Sequence, residues 1–123
     1  MTLLWVMLAG GAGSGARYLT GQWALAVFGP SFPYGTMLVN LVGCFALGFV
    51  AQAAASGNWS PELRAAIAIG FLGGFTTYSS FNQETLLLMS NGAAGTALLN
   101  VALTVFGGLA AALLGLTLAR ALN

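Results

Sequence analysis

The sequence predicts an all-α integral membrane protein, one domain of four transmembrane helices over residues 1–123. Three observations predict it. The chain of 123 residues is 59% hydrophobic. Only 4% of it is charged, against roughly 25% in an ordinary soluble domain. Four stretches are long enough to cross about 30 Å of hydrocarbon, which takes roughly 20 helical residues. The five charges are Arg17, Glu62, Arg64, Glu84 and Arg120, with no Lys and no His. So few charges cannot cover the surface of a soluble domain.

The same counts exclude several functions. No basic run exists to follow a phosphate backbone, so nucleic acid is not a partner. Cys44 is the single cysteine, which excludes a disulfide framework. Without His, a zinc or haem site lacks its usual ligands. Gly11-Ala12-Gly13-Ser14-Gly15-Ala16 has the letters of a dinucleotide fingerprint. No strand precedes it and no βαβ unit surrounds it, so it reads as helix packing. The apolar start at Leu3 lacks the positive n-region of a signal peptide. Its pattern resumes past Arg17, so it opens a membrane helix.

The spans follow from the breakers. The first runs from about Leu3 to Phe28 and stops at Gly29-Pro30-Ser31-Phe32-Pro33, a strong turn signal. The second runs from about Thr36 to Ala55, with Asn40 its conspicuous polar residue. Ser60 before Pro61 reads as a helix N-cap, with Glu62 favouring the positive end of the dipole. The third runs from about Glu62 to Met89 and the fourth from about Ala93 to Leu122, separated at Ser90-Asn91-Gly92. Both termini then lie on one side of the membrane. Arg64 and Arg120 lean weakly towards cytoplasmic termini. So slight a bias also permits insertion in both orientations. Gly11 with Gly15, and Gly70 with Gly74, are small-xxx-small pairs suited to close helix packing. Four short helices enclose little of a pore alone, so an oligomer is expected.

The third span carries the chemistry. From Thr76 to Thr85 only Tyr78 and Phe81 are not strongly polar. Lipid does not tolerate that surface, so Thr77, Ser79 and Ser80 face protein or water. Gly73-Gly74 before Thr76-Thr77 is a natural place for the helix to break and free backbone groups, as in transporters and channels. The plainer reading is a polar helix–helix interface. In the fourth span Thr96, Asn100, Thr104 and Gly108 recur every four residues, forming one stripe. It is either a track of neutral hydrogen-bond groups or a set bonding their own helix. Asn40 needs a partner, either another helix or an anion. Arg17 and Glu84 are the charges placed well inside spans. They either pair, or Arg17 draws anions into a vestibule. Neutral donors, hydroxyls and aromatic edges, whose quadrupole is positive, suit a small, hard anion.

At these residues the sequence resembles the Fluc family of bacterial fluoride channels. The resemblance rests on Gly15-Ala16-Arg17-Tyr18, on Gly35 to Gly43 including Thr36 and Asn40, and on Gly70 to Phe81 with Glu84. It covers essentially the whole chain. It implies an antiparallel, dual-topology homodimer in the bacterial cytoplasmic (inner) membrane, surrounded by lipid, with two fluoride pathways. It implies that Tyr78 and Phe81 stand at the pore aromatics, usually two Phe, and that Asn40 is the pore amide. Asn100 and Thr104 fall on the fourth-helix polar track, and Gly108 stands where some members have Ser. Arg17 matches the vestibule arginine. The break at Gly73 and Thr76 matches a site where backbone carbonyls of both subunits hold one structural Na⁺. Two other readings remain open at this point. One is a small multidrug or cation exporter of dual topology, which the lack of a carboxylate in the first span disfavours. The other is a non-transporting subunit of a larger membrane complex.

Overall fold

A computed structural model describes residues 1–122 and is helical almost throughout. Helix α1 covers Thr2–Phe28 and α2 covers Tyr34–Ser56. A continuous helical run then takes in α3 (Pro61–Arg64), a π-helical segment (Ala65–Phe71) and α4 (Leu72–Phe75). Thr76 and Thr77 are extended, and α5 (Tyr78–Ser90) and α6 (Ala94–Ala121) complete the chain. No strand occurs among the described residues.

The expected punctuation is where the helices stop. Gly29, at φ 77°, ends α1, and Gly92, at φ 79°, turns the chain from α5 to α6. Both conformations are left-handed, which glycine reaches without Cβ strain. Ser60 caps α3, its Oγ accepting from the Leu63 N–H at 3.2 Å, with Pro61 at the first helical position. The third stretch, expected as one span breaking at Gly73-Gly74 before Thr76-Thr77, is not a plain helix. It contains the π-helical segment, and Gly73 and Gly74 stay helical while the interruption falls on Thr76 and Thr77.

Helices α2 and α6 meet the length and apolarity needed to cross a membrane. Helix α1, at 27 residues, has the length but is diluted by Gly, Ser, Thr and Gln. Large apolar side chains point outward: Leu3, Leu98 and Phe106 are each 71% exposed. Water would penalise that surface and lipid does not.

The interior is built from small residues rather than large ones. Pairs α2–α6 and α1–π segment have the most extensive contacts. Both pairs run parallel. Cys44 faces Gly108, Gly48 faces Ala112, and the Gln52 Oε1 accepts from the Arg120 Nε–H at 3.2 Å. Along α1, Val6 and Ala9 face Gly70, Gly10 faces Gly74, and Gly13 faces Phe71 and Phe75. At Gly115 an added Cβ would run into the Phe45 carbonyl oxygen and come within 2.9 Å of the Phe49 nitrogen. At Gly13 it would strike the Phe71 carbonyl oxygen. Backbones touch at these points, and Cα–H groups face carbonyl oxygens. Of the small-residue pairs read from the sequence, Gly70 and Gly74 pack in this way. Gly11 and Gly15 do not; they face open space, and Gly10 and Gly13 hold the contact instead. The true pair lies on the face of α1 turned towards the π segment.

Gly115→Ala should therefore destabilise the protein by about 1–3 kcal/mol through overpacking against backbone. Gly95→Ala, where nothing lies within 4 Å, should be neutral or slightly stabilising through helix propensity. Thermal unfolding of the two purified variants in one detergent compares them directly; equal midpoints would contradict the packing argument.

Candidate functional site

The extended residues Thr76 and Thr77 break the backbone ladder inside an apolar chain; the Thr76 N–H keeps its helix bond to the Leu72 C=O, but both peptide groups of Thr77 need other partners. Asn40 provides them. Its Oδ1 accepts from the Thr77 N–H at 2.8 Å and its Nδ2 donates to the Thr77 C=O at 3.0 Å. One carboxamide thus satisfies both halves of a residue's peptide inventory, and both groups are buried. One turn along α2, the missing side chain of Gly43 makes room for the Thr76 methyl, which an added Cβ would strike.

Two carbonyls lose their usual donors as a result. In an unbroken helix the Gly73 C=O would accept from the Thr77 N–H, which is spent on Asn40. The Thr76 C=O would accept from the Ser80 N–H, which donates instead to Thr77 Oγ1 at 3.2 Å. The Thr76 hydroxyl bonds back to the Leu72 C=O at 2.9 Å.

Helix α5 starts here with Thr77 as its N-cap. The Thr77 hydroxyl donates to Ser80 Oγ at 3.2 Å and lies 3.3 Å from Ser79 Oγ. Three hydroxyls therefore gather at a helix N-terminus, whose free N–H groups and dipole favour negative charge. The rings beside them face different ways. Phe81 is buried within the chain and Tyr78 is 74% exposed on its outer face, with centroids 5.8 Å apart and planes tilted by 51°. Ser79, Asn82 and Gln83 share the exposure of Tyr78.

Further along α5, Asn100 of α6 donates to Thr85 Oγ1 at 3.0 Å, and Thr85 donates to the Phe81 C=O at 2.7 Å. Asn100 is fully buried. Thr104, one turn on, has a buried hydroxyl oxygen with no hydrogen-bond partner among the described residues. The alternative in which this stripe bonds its own helix does not apply to Thr104. Gly108 is buried against Cys44.

The two charged candidates are not brought together. Glu84 Oε1 accepts from the Thr36 hydroxyl at 2.7 Å, while Oε2 is buried with no hydrogen-bond partner among the described residues. Arg17 is half-buried on α1 and forms no ion pair with Glu84. The pairing alternative is therefore dropped. Glu84 lines a cavity of about 360 Å³ with Leu25, Phe32, Tyr34, Thr36 and Leu88, at the end where α1 turns into α2; Arg17 is not part of its wall. Thr36 and Thr85 are the site residues that the sequence did not single out. Both sit four residues from a named one, Thr36 from Asn40 and Thr85 from Phe81, and that spacing was the available signal.

Residues 4–116 match the family described as CrcB-like protein, Camphor Resistance (CrcB). The chain belongs to the CrcB-like family. Its relatives include proteins named fluoride-specific ion channel FluC. That of Anaeromyxobacter dehalogenans is 51% identical over 119 residues, covering 96% of this chain and 94% of the relative. Those of Rhizobium etli (strain CIAT 652) and Sorangium cellulosum are 46% and 44% identical, each over 94% of the relative. As a CrcB-like chain with apolar, outward-facing helices, it is a membrane protein.

The two buried amides of this CrcB-like chain should differ in cost when removed. Asn40→Leu strips both partners from a buried peptide, so about 2 kcal/mol or more should be lost. Asn100→Leu leaves the Thr85 hydroxyl still donating to Phe81, so the loss should be smaller, about 1 kcal/mol. Unfolding of both variants in detergent checks the order; Asn100→Leu as the costlier change would contradict the roles assigned to the two amides.

Proposed function

We propose that the protein is a fluoride-selective ion channel of the bacterial cytoplasmic membrane, working passively to let trapped fluoride out and so protecting the cell. The observation that carries this reading is the helix start inside the chain, dressed by the hydroxyls of Thr77, Ser79 and Ser80, in a protein whose near-full-length relatives are named fluoride-specific. Fluoride holds water strongly, so a pore must replace water with closely placed donors. Neutral donors release the ion, where a fixed cation in the narrow part would retain it.

In this mechanism the hydroxyls of Ser79 and Ser80, with Ser80 held by the Thr77 hydroxyl, donate hydrogen bonds, and Tyr78 and Phe81 present positive ring edges. Asn100 and the unpartnered hydroxyl of Thr104 continue the line of neutral groups along α6. Asn40 holds the Thr77 peptide with its Oδ1 and one Nδ2 hydrogen, leaving its second Nδ2 hydrogen for an anion. Glu84 and Arg17 belong to the approaches, Glu84 at the cavity beside the α1–α2 turn.

The active unit is an antiparallel, dual-topology homodimer, with the domain of residues 1–123 contributing four spans and the third span broken at Thr76 and Thr77. Two observations support it. Tyr78, Ser79, Asn82 and Gln83 form an outward polar face in a stretch that lipid does not accept, so a second copy is the natural cover. The carbonyls of Gly73 and Thr76, relieved of their helix donors, fit one structural Na⁺ shared between copies. A hard cation prefers oxygen ligands, and among the described residues no cluster of His, Cys, Asp or Glu competes for that role. Bound there, the ion would supply positive charge beside the hydroxyl cluster and hold two chains together.

Purified protein in liposomes should release fluoride on addition of a potassium ionophore and retain chloride. Phe81→Ile should lower fluoride efflux about tenfold, since the ring edge is lost while bulk is kept. Comparable fluoride and chloride efflux would refute the channel assignment, and coupled export of an organic cation would favour the exporter reading.

A further inference from the structure

The helical run of residues 61–75 does not keep one ladder. The Leu72 N–H donates to the Ile67 C=O, five residues back. The Thr76 N–H donates to the Leu72 C=O, four residues back, at 3.0 Å. Between these bonds lie three donors, residues 73–75, and four carbonyls, those of Ala68, Ile69, Gly70 and Phe71. At least one carbonyl therefore has no helix donor of its own. In a span with little water that is costly, and π-helix is rare and mostly confined to single turns.

Packing on α1 does not require this arrangement. The contacts there use Gly70 and Gly74, and a plain α-helix also places residues four apart on one face. The reason lies downstream, on α2. Thr77 is pinned to Asn40 by two hydrogen bonds. Pro61 is tied to Ser56, the last residue of α2, by the short link of residues 57–60. From 40 to 56 is a separation of 16, and from 61 to 77 it is again 16. Two extended residues in the return path, Thr76 and Thr77, rise about 3.3 Å each against about 1.5 Å in a helix. The return path would overshoot Asn40. A wider turn fits more residues into the same axial length, so the π segment takes up that excess. It also sets the rotation, since one residue more or less in a helix turns the chain beyond it by about 100°.

We propose that the π-helical segment Ala65–Phe71 is a register device: its residue count, rather than its side chains, holds the Thr77 peptide level with Asn40 and so aims the hydroxyl start of α5. A flux readout of this device rests on the channel reading; an exchange readout does not.

Deleting Ala66 removes the surplus residue and should let the segment close to plain α-helix with Thr77 still level with Asn40, whereas inserting an alanine after Ala68 adds a residue that the π turn has no further room to absorb. Deleting Ala66 and inserting an alanine after Ala68 restores the count with an altered order. Hydrogen exchange at the Thr77 N–H, followed by NMR in nanodiscs, reports the Asn40 bond. The insertion should lower its protection about tenfold or more and bring fluoride flux to background, and the compensated variant, like the deletion, should keep both. An insertion variant with native protection overturns the proposal. So does a compensated variant without native protection, which decides the matter even where the insertion alone does not fold. Protection that follows the count in a protein passing no fluoride would uphold the register device and reject the channel reading instead.

Discussion

The paired hydrogen bonds between Asn40 and the Thr77 peptide are the constraint on which the site depends. An extended pair of residues in a membrane helix exposes peptide groups that neither lipid nor helix can satisfy. A carboxamide is the side chain that carries a donor and an acceptor side by side, as a peptide does. With Thr77 so held, its hydroxyl faces Ser79 and Ser80 and caps α5. With its N–H diverted, the Gly73 carbonyl is released. A hydroxyl cluster and freed carbonyls thus follow from a single side chain on α2. Its neighbour Gly43 contributes by what it lacks.

The rest of the chain divides into a tight part and a loose one. Helices α1, α2, α6 and the π segment meet backbone to backbone, through Gly10, Gly13, Gly48, Gly70, Gly74 and Gly115. Helix α5 touches its neighbours far less. It is fixed at its start by Thr77 and midway by Thr36 and Asn100, and its outer face stays polar. Glycine contacts are rigid because there is no side chain to readjust, whereas hydroxyl and amide bonds can be exchanged. The chemistry-bearing helix is therefore mounted on polar ties against a stiff frame.

Much of this was legible in the sequence. Gly29-Pro30, Ser60-Pro61 and Asn91-Gly92 placed the turns because those residues impose backbone geometry locally. The run from Thr76 to Thr85 announced the site because polarity is conspicuous in an apolar chain. Asn40 was legible as a residue needing a partner, but not which one, since a partner 37 residues away is a matter of packing. The π segment left no mark, as Ala65 to Phe71 is ordinary helix-forming sequence and the wider turn is imposed from outside. Gly11 and Gly15 misled for a related reason: spacing reveals that a helix has a small-residue face, and its rotation decides which face meets a neighbour. The separation of Arg17 from Glu84 was likewise a question of helix rotation.

Parallel packing has a consequence for assembly. Helix α1 rests on residues near 70–75, and α2 rests on α6, so neighbours in space are some 64 residues apart along the chain, as from Gly10 to Gly74 and from Gly48 to Ala112. Each first-half helix enters the membrane well before its chief partner has been synthesised. The chain has high contact order for a helical protein, and such topologies form slowly because long loops must close before contacts reward them. During that interval Asn40 waits in lipid without the Thr77 peptide. The half-made protein is at its most vulnerable there, while a polar side chain in an apolar span has no partner.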